Sequence, residues 1–352
     1  MKPATIRNAI AGRSDGLAAR AGQAIARGVV WPYSLAMRLR RWAYNSGVFS
    51  SSRASVPVIC VGNITTGGTG KTPMVAWVVR QLKEAGRKPA ILTRGYKSVD
   101  GKSDEAEFLK QRSDVEVVVN PDRIAGAQIA ADGGSDVLVM DDGFQHMRLK
   151  RDMNIVLIDA MNPFGYGCCL PLGRLREPLS ALRDAHAVVI TRSDAVVPEL
   201  IEALEAQLAR RAPQASMHLG VHKPIGLVDQ DGKERPLSDI VGRKVLVFAG
   251  IGNPEAFITT VERLGAEPVD FCIFSDHQEY RPEIIQRIYE HAEASNPEIL
   301  VTTEKDYIKL AEFELDRPVW RVVVEMDIAS GRDELIEKLQ NTAAAQTIAL
   351  TK

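Results

Sequence analysis

The chain has 352 residues, 45% of them hydrophobic and 25% charged, a composition that builds folded cores and excludes a disordered or fibrous chain. Its formal net charge of -1 excludes a general nucleic-acid binder, which needs a Lys/Arg excess to neutralise many phosphates. The length leaves room for two ordinary domains.

The charge is unevenly placed. Residues 1–53 carry Lys2, Arg7, Arg13, Arg20, Arg27, Arg38, Arg40, Arg41 and Arg53 against a single acid, Asp15. Within them, "GVVWPYSLAMRLRRWAYNSGVF" is interrupted by Pro32 and Arg38 and falls short of the roughly 18 apolar residues of a membrane span. It also lacks the order of a signal peptide, so the chain is expected to stay inside the cell. The four cysteines, Cys60, Cys168, Cys169 and Cys272, form no C-x-x-C and read as thiols without assigned chemistry.

From residue 54 onward, short apolar runs alternate with helical patterns. The runs are "PVICVG", "PAILTRG", "VEVVVN", "DVLVMDD", "NIVLIDA" and "AVVITRSD", the signature of β-α-β units. Residues 54–220 are therefore expected to form a doubly wound, mostly parallel α/β domain. A turn at Asp231-Gly232 then predicts a β-hairpin linker over 221–236. A second, smaller α/β domain follows over 237–345, from "KVLVFAG" to "VWRVVVEM" and beyond.

The first turn carries the clearest chemistry. In "VICVGNITTGGTGKTP" an apolar strand runs into a Gly-rich turn and then a helix, the context of a phosphate-binding P-loop. Thr65, Thr66, Gly67, Gly68, Thr69 and Gly70 would wrap an anion at the helix N-terminus. Lys71 would reach the outer phosphates and Thr72 would ligate Mg²⁺. Thr65 stands where the general pattern has glycine. Asp141 and Asp142 close the strand "DVLVMDD" at its carboxyl end, where ligands bind in such sheets, and read as a metal or water group.

Two further pairs border a prospective cleft: Asp104 and Glu105 in "KSDEAEF", and Asp276 and His277 in "FSDHQEY". Either supplies a carboxylate or imidazole to accept a proton from an alcohol. A rival reading comes from Thr191-Arg192-Ser193-Asp194, which loosely echoes the guanine-reading element of GTPase switches. No Asp lies three residues before Gly143, and Arg192 stands in place of lysine, so that rival weakens.

Taken together, "VGNITTGGTGKTP", "LTRGYK", "DDGFQHMRLKRDMNIVLID", "LPLGRLREPLSALRDA", "FSDHQEY" and "TTEKDYIKL" resemble the tetraacyldisaccharide 4'-kinase family. The resemblance runs from about Trp31 to Met326, and the family shares threonine at the position of Thr65. It implies transfer of the ATP γ-phosphate to the 4'-hydroxyl of an acylated glucosamine disaccharide 1-phosphate, with Mg²⁺, at the cytoplasmic face of the inner membrane. It further implies Asp104 as base, His277 as its partner, Lys71, Asp142 and Glu177 as catalytic residues, and Thr72, Asp141 and Glu105 as metal ligands. The family's G-D-E-P reads Ser103-Asp104-Glu105-Ala106 here, so its flanking glycine and proline are gone. A lipid substrate also gives the basic, amphipathic 1–53 segment a role at the membrane surface. No nucleic acid and no obligatory protein partner are expected.

Overall fold

The computed structural model describes residues 17–95, 104–276, 278–310, 313 and 317–345, with the side chains of 17–27, 104 and 105 outside the description. Two compact units emerge from the contacts. The first comprises 1–94, 115–221 and 328–352; the second comprises 95–114 and 222–327.

The first unit opens with α1 (Leu17–Asn45) and then follows the expected alternation. Its elements are β1 (Val58–Asn63), α2 (Lys71–Glu84), β2 (Pro89–Thr93), β3 (Val117–Val119), α4 (Arg123–Asp132), β4 (Val137–Asp141), β5 (Met153–Asp159), β6 (Ala187–Thr191) and α5 (Pro198–Arg211), α3 being a segment of the second unit. The first part of β7 (Ser216–Val228) completes the sheet in the order β7-β6-β5-β1-β4-β2-β3, every neighbouring pair parallel. The strands are buried on both faces and so read as unbroken apolar runs. Because β1 lies between β4 and β5, the chain leaves it towards β2 on one side and crosses it from β4 to β5 on the other. Ligands bind outside the strand ends at such a reversal.

The second unit holds α3 (Asp104–Ser113), the remainder of β7 with β8 (Glu234–Arg235), β9 (Lys244–Ala249), α6 (Pro254–Arg263), β10 (Glu267–Ile273), α7 (Pro282–Ser295), β11 (Ile299–Thr303), α8 (Glu304–Ile308) and most of β12 (Val319–Ser330). Its parallel order is β10-β9-β11-β12, with apolar clusters around Val247 and Phe248. The predicted hairpin is present, with Leu227 and Val228 opposite Arg235 and Glu234.

Two segments sit apart from the sequence reading. Helix α3 follows a strand of the first unit but packs in the second, where the Arg112 guanidinium donates to Glu304 Oε1 at 3.3 Å and to the Val324 carbonyl at 2.8 Å. Helix α9 (Arg332–Ala345), placed by sequence in the second domain, packs instead on α2 in the first unit. Its buried Leu335, Leu339 and Ala343 recur every four residues, an apolar stripe that any partner helix of the right shape could take.

Candidate active site

The phosphate loop leaves β1 and enters α2 at Gly70, whose φ of 85° lies in the left-handed region. A neighbouring segment, 164–177, straps the loop in place. Thr66 N donates to the Arg174 carbonyl at 2.7 Å, Arg176 N donates to the Ile64 carbonyl at 2.8 Å, and Thr65 forms an antiparallel bridge with Leu175. Thr65 is thus a buried, strand-paired residue without a left-handed backbone, which is why threonine serves where the general pattern has glycine.

Thr69 is fixed through its hydroxyl and its carbonyl. Asn63 Nδ2 donates to Thr69 Oγ1 at 2.8 Å, and Thr191 Oγ1 donates to the Thr69 carbonyl at 3.0 Å. Arg192 completes the brace: Nη2 donates to the Gly68 carbonyl at 2.8 Å while Nε donates to Asp159 Oδ1 at 2.9 Å. The T-R-S-D stretch that echoed a guanine reader therefore holds the phosphate loop from beneath.

Opposite stands "DDGFQH". Gly62 admits it, since a Cβ there would lie 2.6 Å from Phe144 Cβ. Gln145 Nε2 donates to the Asn63 carbonyl at 2.7 Å. Asp142, left-handed at φ 49°, carries its carboxylate to Arg176, whose Nη1 donates at 2.8 and 2.9 Å, and to Lys71, whose Nζ is 3.7 Å away. Burial pushes the Asp142 carboxyl up, but Lys71 and Arg176 outweigh it and hold the group below the usual carboxylate range. It is a carboxylate at neutral pH. Asp141 ends β4 and is buried. His146 is pushed down to about 4 by burial and by Arg123 and Arg151, so its ring is neutral.

Glu177 has a different setting from Lys71 and Asp142. It is 1% exposed and faces α1: the buried Arg41 donates to it and to Asp184, and Arg40 Nη1 stands 4.0 Å from its other oxygen. Tyr33 Oη donates to the Arg176 carbonyl at 2.8 Å, so α1 clamps the strap at two points. Arg40 and Arg41 are thereby turned into the protein, against the expectation that both flank a lipid surface; Arg38 remains exposed. The opposite face of α1 leaves Trp31, Leu35, Leu39 and Trp42 exposed along one stripe, Trp31 by 72% and Trp42 by 62%.

Sequence reasoning missed Arg176, Arg192 and Arg41. Two adjacent carboxylates beside one lysine leave a cation wanting, and the arginine of "LREPL" supplies it. Asp104 and Glu105 begin α3, but their side chains, like His277 as a whole, lie outside the described residues. Helix α3, which carries Asp104 and Glu105, belongs to the second unit.

Among the described residues no group of three or more His, Cys, Asp and Glu stands together as a protein-only metal cage. Mg²⁺ bound with nucleotide phosphates needs only one or two protein oxygens besides phosphates and water. A hydroxyl at Thr72, next to the loop lysine, and the carboxylates closing β4 suit that demand.

The model of the tetraacyldisaccharide-1-P 4'-kinase family matches residues 23–344. The tetraacyldisaccharide 4'-kinase of Syntrophus aciditrophicus is 38% identical over 327 residues, covering 84% of this chain and 87% of that protein. That of Geobacter metallireducens is 37% identical over 320 residues, 84% of this chain and 91% of that one. A crystal structure of LpxK from Aquifex aeolicus in complex with ATP superposes with a TM-score of 0.68 at 28% identity, covering 89% of this chain and 96% of that one. The strapped loop and its acidic pair thus sit in a chain that belongs to the tetraacyldisaccharide-1-P 4'-kinase family.

Proposed function

We propose that this chain transfers the γ-phosphoryl group of ATP to the 4'-hydroxyl of tetraacyldisaccharide 1-phosphate, forming lipid IVA in lipid A biosynthesis. The observation that carries this reading is the Lys71-Asp142-Arg176 cluster beside a P-loop at a topological reversal, in a chain matched by the family model over 23–344. The loop amides and Lys71 hold the phosphates, and Asp142 keeps Lys71 oriented while Arg176 balances its charge. Thr72 and Asp141, with Glu105 as a further ligand, would hold Mg²⁺, which when bound supplies positive charge against the phosphate oxygens.

Asp104 takes the proton of the attacking hydroxyl, and His277 pairs with it. Glu177 supports the chemistry as a positioning residue, by fixing Arg41 under the strap. The exposed Trp31, Leu35, Leu39 and Trp42 stripe seats the protein on the membrane that carries its lipid substrate, with Arg38 towards anionic headgroups. In this proposal the attachment is peripheral and monotopic, at the cytoplasmic face of the inner membrane; no helix among the described residues is long and apolar enough to cross a membrane.

The assignment of the base is tested by Asp104→Asn. Turnover is expected to fall about 10²-fold or more with ATP affinity held, as for a group acting in the chemical step. Turnover within threefold of wild type removes Asp104 from that role.

A further inference from the structure

Among the described residues, Arg174 is a cation at the phosphate loop that no carboxylate claims. Lys71 and Arg176 face Asp142, and Arg192 is held by Asp159 and the Gly68 carbonyl. The main chain of Arg174 is committed, its N-H donating to the Gly165 carbonyl at 2.8 Å and its own carbonyl accepting from Thr66. Its guanidinium forms no ion pair or hydrogen bond with any described residue. Instead it stacks on the Tyr166 ring, 5.4 Å from the centroid. Nη1 lies 3.8 Å from where a Cβ on Gly67 would stand.

The local backbone is unusual. Gly165, Tyr166 and Gly167 are successively left-handed, at φ 54°, 66° and 73°. A tyrosine rarely adopts that conformation, and here it presents a ring that is 63% exposed beneath the guanidinium. Stacking orients a guanidinium while leaving its N-H donors free, which pairing with a carboxylate does not. Loop amides nearest the helix N-terminus take the inner phosphates, so a guanidinium over Gly67, three residues before Gly70, stands beside the outer one.

We propose that Arg174 is a further catalytic residue: it binds the outermost phosphoryl group of the nucleotide and stabilises the charge on its oxygens during transfer, while Tyr166 is its positioning residue. In that step the bond from the γ-phosphorus to the ADP oxygen breaks and the bond to the 4'-oxygen forms. The hydroxyl proton passes to Asp104, and Arg174 keeps all its protons. This rests on the reading that the loop holds ATP.

The test measures equilibrium binding of ADP and of a non-hydrolysable ATP analogue, with turnover, in full-length wild type, Arg174→Gln, Arg174→Lys, Tyr166→Leu and Tyr166→Phe. For Arg174→Gln turnover is expected to fall about 10³-fold, the lower end of what an arginine at a transferring phosphoryl contributes. Analogue affinity should fall by about tenfold while ADP affinity stays within about twofold, because ADP lacks the group that Arg174 holds. Arg174→Lys, with charge but no fork, should fall between, and it carries the test if the glutamine variant does not fold. Tyr166→Leu should lose about tenfold in turnover with Tyr166→Phe near wild type, since the ring and not the hydroxyl makes the stack. Equal loss of ADP and analogue affinity, or turnover within about threefold of wild type in folded Arg174 variants, overturns the inference alone. Wild type that binds neither nucleotide overturns the ATP site and the inference with it.

Discussion

Asp142, Tyr166 and Arg192 are three of the five described non-glycine residues with left-handed backbone, and all three stand around one loop. Strained backbone of this kind persists where surrounding contacts over-determine it, and here those contacts are the loop's own braces. His146, in the same acidic segment, shows what burial does to stability. Its folded form is neutral with a value near 4, and burial likewise lowers His186 and His218. The unfolded chain takes up these protons below about pH 6.5 whereas the folded chain does not. Stability is therefore whole above about pH 6.5 and declines as pH falls towards 4. Denaturant melts at a series of pH values should show that decline, and His146→Gln should flatten it; an unchanged slope would assign it to other groups. At this scale the sequence was legible where chemistry has a fixed spacing: Lys71 and Thr72 lie where their motif puts them. It was less legible at Arg174 and Arg192, because nothing in a linear pattern says which cations end against a loop carbonyl and which stay uncommitted.

The elements around the loop explain how short-range motifs become one site. The strap at 164–177 pairs with the loop, α1 clamps the strap, and T-R-S-D supports the loop from the next strands. Arg41 is the main tie, since it lies buried between Glu177 and Asp184 with its guanidinium carbon 4.8 Å from the Phe144 ring centroid. Removing one member of a buried pair strands the other's charge, so Arg41→Ala is expected to cost about 3–5 kcal/mol. The double variant with Glu177→Gln should cost less than Arg41→Ala alone. Chemical denaturation of the four proteins of this cycle checks it, and a loss below about 1 kcal/mol for Arg41→Ala would show the tie to be weak. In sequence, the run Arg38-Leu39-Arg40-Arg41 belongs to the basic segment expected at the membrane surface. A helix turns successive residues by about 100°, so that run divides between two faces, and only packing reveals which face each arginine takes.

At the scale of the whole molecule, the alternation of strands and helices made two α/β units readable in advance, with the hairpin that follows the first. Helices α3 and α9 escaped because membership of a unit is decided by tertiary contacts, Arg112 on Glu304 in one case and an apolar stripe on α2 in the other. That exchange places α3 in the second unit although β2 and β3, which flank it in sequence, belong to the first. On its outer side α1 exposes the apolar stripe of Trp31, Leu35, Leu39 and Trp42. Replacing Trp31, Leu39 and Trp42 together by serine should lower flotation with phosphatidylglycerol vesicles by about tenfold or more, given the apolar area removed, while the melting temperature moves little. Unchanged flotation would assign any membrane contact to another surface.

In the proposed reaction this strapped loop delivers phosphate from ATP to one alcohol of a lipid. Purified protein, Mg²⁺, γ-labelled ATP and lipid A disaccharide 1-phosphate in detergent micelles, with unlabelled GTP as competitor, measure it directly. Label should appear at the 4'-oxygen of the disaccharide, vanish with Lys71→Ala, and be little reduced by equimolar GTP. Label released only as inorganic phosphate, or transfer supported better by GTP, would rule out an ATP-dependent lipid 4'-kinase.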